Sequence, residues 1–141
     1  MANYHQQTGN TKTDSPQIFF KQSIFRSEWI TNGADADLPI FADKIGKYMA
    51  EQGLTNTKIR SFYCEMIRIQ MSGYDREKSS FFLLKPKVAY ALGREPKNKG
   101  LEMFKIVYDT ASSQVKDHTS YSNFCALMEA ILAYHKANGG K

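Results

Sequence analysis

Cysteine is nearly absent from this 141-residue chain, which contains only Cys64 and Cys125. Two thiols are too few for a disulfide framework and lack the paired spacing of a zinc site; both read as buried small hydrophobes. Long apolar runs are missing as well. The longest, residues 88–92, 124–128 and 130–134, reach five residues, whereas a membrane-spanning helix needs about 20. The opening Met1-Ala2-Asn3-Tyr4-His5-Gln6-Gln7 has neither a charged leader nor an apolar segment, which predicts no secretory signal. The histidines, at positions 5, 118 and 135, follow no metal-ligand spacing. No Gly-rich phosphate loop is present, since the stretch around Gly93 and Gly100 lacks the pattern. Cys125 and His135 stand ten positions apart on one expected helix; that is about 15 Å along its axis, too far for a nucleophile and its base. The expectation is a cytoplasmic, non-enzymatic domain without cofactor or metal.

What is present is positive charge in one place. The chain carries a net +5. Residues 55–105 hold eleven Lys and Arg against five Asp and Glu, while the remainder holds eight against nine. Such asymmetry points to a polyanionic partner, the alternative being a solvated basic face. Hydrophobic residues at 42% and charged residues at 23% place the chain among globular domains rather than disordered ones.

Residues 1–34 read as a polar lead, disordered over 1–17, followed by an apolar arm with Ile18, Phe19, Phe20, Ile24, Phe25, Trp29 and Ile30. Ser15-Pro16 is a plausible cap and first-turn pair for a short helix. The arm either docks on a neighbouring subunit or covers the chain's own core. Residues 35–141 read as a helical bundle domain. Leu38, Phe41, Ala42, Ile45, Tyr48 and Met49 recur with helical spacing, with Asp37 as N-cap and Gly53 as stop. A second helix opens at Asn56 or Thr57, with Ile59, Phe62, Tyr63, Met66 and Ile69 on its apolar face and Gly73 beyond its end. Residues 72–80 read as a loop. A third helix runs through Phe81, Leu84, Val88 and Leu92, and Pro86 either kinks or restarts it. A fourth carries Leu101, Phe104, Val107, Tyr108 and Ala111. A fifth carries Tyr121, Phe124, Cys125, Met128, Ile131, Leu132 and His135. No segment alternates with period two. The fold class is therefore all-α, a single-domain bundle of about five helices.

Lys87, Tyr90 and Arg94 lie at i, i+3 and i+7, which puts two cations and an aromatic on one helical face, flanked by Lys85, Lys97 and Lys99. On the preceding helix Lys58, Ser61, Glu65 and Arg68 share the polar face, with Arg60 on its flank. Lysine and arginine grip phosphates without reading sequence, and an aromatic can stack on a base. Tyr90 sits in an apolar run, which favours the core over a stacking platform; Glu65 can pair with Arg68 three residues on. Glu129 falls on a mostly apolar helix, and a lone buried carboxylate is expensive, so a structural ion pair with Arg60, or next with Arg94, is expected. A helical DNA-binding regulator, or another helical interaction protein, is the competing reading. The helix-turn-helix form of it needs a short turn and a polar recognition helix, and neither is visible.

Three segments in order carry a resemblance: Thr55 with Ile59-Arg60-Ser61-Phe62-Tyr63, then Leu84-Lys85-Pro86-Lys87-Val88-Ala89-Tyr90-Ala91-Leu92-Gly93-Arg94, then Phe124-Cys125-Ala126-Leu127-Met128-Glu129-Ala130-Ile131-Leu132-Ala133-Tyr134-His135-Lys136. Over residues 55–140 the chain resembles the small helical subunit of type III-A CRISPR–Cas (Csm) effector complexes. The resemblance implies a non-catalytic five-helix protein stacked in several copies. Its partners would be copies of itself, the filament of backbone subunits and the large signalling subunit. It would hold target RNA as it pairs with guide RNA, with RNA cleavage, cyclic-oligoadenylate synthesis and DNase activity left to other subunits. Base pairing then reads sequence, and the protein needs only backbone and shape.

Overall fold

Residues 15–141 are described in a computed structural model, as seven helices and no strand. They are α1 Pro16–Ser23, α2 Glu28–Thr31, α3 Asp37–Glu51, α4 Asn56–Ser72, α5 Lys78–Arg94, α6 Lys99–Ser112 and α7 His118–Ala137. The five long helices are the five expected; the count rises to seven because the apolar arm itself folds into two short ones. Of the lead expected to be disordered over residues 1–17, residues 1–14 lie outside the described residues, whereas Pro16 and Gln17 already belong to α1, whose start the Ser15 cap sets.

Local chemistry sets the helix ends. The Ser15 side chain caps α1 by accepting from the Ile18 amide, with Pro16 in the first turn. The Asp35 carboxylate receives the indole N–H of Trp29 at 2.7 Å and the amides of Asp37 and Leu38 at 3.0 and 3.2 Å. The capping side chain of α3 is therefore Asp35, and Asp37 is already helical. Thr55 caps α4, Asn98 caps α6, and Asp117 with Ser120 forms a reciprocal capping box on α7. Gly73 stops α4 with φ of 108°, a left-handed-side conformation open to glycine. The loop after it is shorter than expected, because residues 78–80 already form the first turn of α5. Pro86 lies inside an unbroken α5. It faces solvent, where water can take the Phe82 carbonyl that proline leaves without an amide partner.

α7 is the central element, packed against α2, α3, α4 and α6. Tyr121, Phe124, Leu127, Met128 and Ile131 of this helix are at most 1% exposed. Burying an aliphatic or Phe side chain of this kind contributes on the order of 1.5–3 kcal/mol. Trp29 and Ile30 of α2 sit in the same core, and Phe25 packs edge-on to Trp29 and Phe41. The apolar arm thus covers the chain's own core. Cys125 is buried as expected; Cys64 is exposed, on the outer side of α4.

Candidate nucleic-acid interface

All eight expected cations, Lys58, Arg60, Arg68, Lys85, Lys87, Arg94, Lys97 and Lys99, belong to exposed residues. They do not form one patch. Lys58 of α4 and Lys87 and Arg94 of α5 line a single groove of about 360 Å³, whose apolar floor includes Phe62, Ala91 and Leu101. Lys85 opens onto a different groove with Phe82 and Tyr108. Arg60 lies about 200° around α4 from Lys58, and lines a third groove with Tyr63, Cys64 and Glu129. Arg68 borders a neighbouring, mostly apolar one with Ile67 and Met71. Lys97 lies in the turn before α6, and Lys99 is the first residue of that helix.

Two of the eight are already neutralised. Lys58 is ion-paired with Glu95, and the pair holds the Glu95 carboxyl below the usual carboxylate range. Arg68 bonds Glu65 through both its Nε and a terminal nitrogen, at 3.0 and 2.9 Å, and reaches Glu77 at 3.3 Å. The guanidinium is the main cause that lowers both carboxyls. The Glu65–Arg68 pairing expected from the spacing is made. Lys87 is near enough to add to the lowering of Glu65. Among the described residues, Lys87, Arg94, Lys85, Arg60, Lys97 and Lys99 have no carboxylate within the 4.0 Å of an ion pair.

Two expectations need correcting. Glu129 is exposed rather than buried, so it needs no compensating cation, and its ion pair with Arg60 is not made, although both line one groove. Its carboxylate instead lies beside Tyr63, where burial first and that negative charge second push the Tyr63 hydroxyl above its ordinary value. Tyr90 is not core. It is 68% exposed, with the Arg94 guanidinium 6.0 Å from its ring centre. The apolar run around it misled, because Val88 alone of that run is buried; the i, i+3, i+7 spacing was the sounder signal. The Glu95 partner of Lys58, 37 positions away, and the floor contributed by Leu101 had no sequence signal.

The family model for Csm2 Type III-A matches residues 34–141. The chain belongs to that family. It is also similar to the CRISPR system Cms protein Csm2 of Streptococcus thermophilus, with 33% identity over 108 residues, covering 70% of this chain and 81% of that protein. No solved structure gives a significant match. Membership makes the chain a Csm small subunit of a type III-A CRISPR–Cas complex. The matched segment begins just before α3, so α1 and α2 precede it, and it contains all eight cations. Among the described residues no cluster of His, Cys, Asp or Glu is arranged to hold a metal. No helix among them is long and apolar enough to cross a membrane.

Proposed function

We propose that this small subunit is non-catalytic and cytoplasmic, stacks in several copies within the RNA-guided effector, and holds the target RNA–guide RNA duplex through cations that touch backbone. Its protein partners are copies of itself, the backbone filament subunits and the large signalling subunit. The observation that carries the reading is the placement of Lys87 and Arg94, exposed and without carboxylate partners among the described residues, at one groove of a Csm2-family chain. Phosphate contacts of this type set affinity and its salt dependence, and leave sequence to base pairing. Lys85 and the peripheral Lys97 and Lys99 extend the basic surface, and Arg60 stands apart from it.

The test is capture of labelled target RNA by reconstituted complexes carrying Lys85→Ala, Lys87→Ala or Arg94→Ala over a salt series. Each variant is expected to weaken capture equally across unrelated targets with matching guides. Intact assembly with unchanged affinity and salt slope in all three would reduce the charges to a solvated face.

A further inference from the structure

Gripping backbone does not explain Tyr90. A tyrosine ring two-thirds exposed one turn before the end of α5 sacrifices apolar burial, and the Arg94 guanidinium lies 6.0 Å from its centroid. The groove beside the ring is walled by Phe62, Ala91 and Leu101 and rimmed by Lys87 and Arg94. At about 360 Å³ it suits one flat ring system with its sugar and is far too small for a duplex. The same groove is also lined by the Lys58–Glu95 pair, whose carboxyl lies close enough to Arg94 to feel its charge. That carboxylate is taken up by Lys58, so the groove cations without an ion pair among the described residues are Lys87 and Arg94.

We propose that this groove binds one unpaired RNA nucleotide, its base stacked on the Tyr90 ring and its flanking phosphate held by Lys87 and Arg94. The inference rests on the RNA-backbone reading above and adds to it a base contact that is indifferent to sequence. Within an A-form duplex both faces of each base are covered by neighbouring bases. Only a base outside the stack can offer its face to an aromatic side chain. Every base has such a face, so the contact adds affinity without selecting a letter.

The experiment uses the full chain at low salt and a short single-stranded RNA carrying 2-aminopurine, compared with the same strand annealed to its complement. The single strand is expected to bind more tightly than the duplex and to show quenched 2-aminopurine fluorescence. Tyr90→Ala should weaken strand binding about 5- to 150-fold and abolish the quench, with the salt slope unchanged. Tyr90→Phe should keep both. Lys87→Ala and Arg94→Ala should lower the slope instead. Unchanged binding and quench in Tyr90→Ala, with Lys87→Ala still lowering the slope, would remove the stack and leave the backbone reading standing. Unchanged behaviour in all variants would remove both. Equal binding of duplex and strand, no detectable strand binding, or stronger competition by adenosine 5′-monophosphate than by the strand would each overturn the proposal, the last in favour of a free nucleotide.

Discussion

Gly46 of α3 and His135 of α7 meet backbone to backbone: a Cβ at position 46 would lie 2.6 Å from the His135 amide nitrogen and 2.8 Å from the Ile131 carbonyl oxygen. Backbone atoms of a central helix cannot step aside as a side-chain tip can. The close approach lets α3 lay Phe41, Ala42, Ile45 and Met49 against α7, and all four are at most 1% exposed. His135 then turns inward, its Nε2 lying 2.6 Å from the Leu54 carbonyl oxygen.

Alanine at position 46 is therefore expected to destabilise the chain by about 1–3 kcal/mol through overpacking, although helix propensity alone favours it by about 1 kcal/mol. Gly93 near the end of α5 provides the opposite case, since a Cβ there meets nothing within 4 Å. Gly93→Ala should stabilise by about 0.4–1 kcal/mol. Urea midpoints of the two variants should move in opposite directions, and a shared direction would refute the packing account.

The contrast between these two glycines also marks where sequence ceases to be informative. Periodicity located α3 to α7 because each carries its apolar residues at helical spacing, and a cap such as Ser15 acts within three residues of its partner. Contacts made at long range leave no such trace. Gly46 looks like any helix-weakening glycine until α7 is laid across it. Glu95 looks like a helix-end acid until Lys58 is brought to it from α4. The inward turn of Trp29 and Ile30 was open for the same reason, since an amphipathic arm buries equally well on its own core or on a neighbour. At the interface, residue type and local spacing gave the exposed cations. Which of them still carry uncompensated charge depended on partners up to 37 positions away.

The two thiols should behave oppositely toward a thiol reagent. Burial pushes the Cys125 thiol up to about 11, against a partial lowering by its contact with Tyr121, and its sulfur lies 3.9 Å from the Met66 carbonyl oxygen inside the core. Cys64 faces solvent. The folded chain at neutral pH should thus modify one equivalent of thiol rapidly and the second only on unfolding. Cys64→Ser should remove the fast phase, and a fast phase surviving that substitution would contradict the burial of Cys125.

Acid should weaken the junction between α4 and α5. The carboxyls of Glu65 and Glu77 are held below their ordinary value chiefly by hydrogen bonds from Arg68. In the unfolded chain they return to about 4.3. The unfolded state then binds more protons in that window, so stability rises with pH there. The contribution is complete above the unfolded value and is lost as pH falls through the depressed folded values. Arg68→Gln should flatten the fall in denaturant midpoint between about pH 5 and pH 3. Molar salt should do the same in the parent chain, because Arg68 is exposed and both carboxyls still reach solvent, where the pairs are screened. An acid limb equally steep in Arg68→Gln would place the titrating groups elsewhere.

The pairing pattern also ranks the cations by what each can give to RNA. Among the described residues Lys87 and Arg94 have no carboxylate to leave, so Lys87→Ala and Arg94→Ala should each lower the log–log salt slope of capture by about 0.7 on single-stranded target. Lys58 and Arg68 must first exchange Glu95, or Glu65 and Glu77, for phosphate, and their alanine variants should change the slope by less. The sharper test removes the competitor rather than the cation. Glu95→Gln releases Lys58 at the edge of the Lys87–Arg94 groove and deletes the negative charge there. This variant should bind target RNA more tightly than the parent at low salt and show a slope steeper by about 0.7. The double variant Lys58→Ala with Glu95→Gln should lose the added slope while keeping the relief from repulsion. An unchanged slope in Glu95→Gln, with helix content intact by circular dichroism, would mean that RNA does not reach this groove.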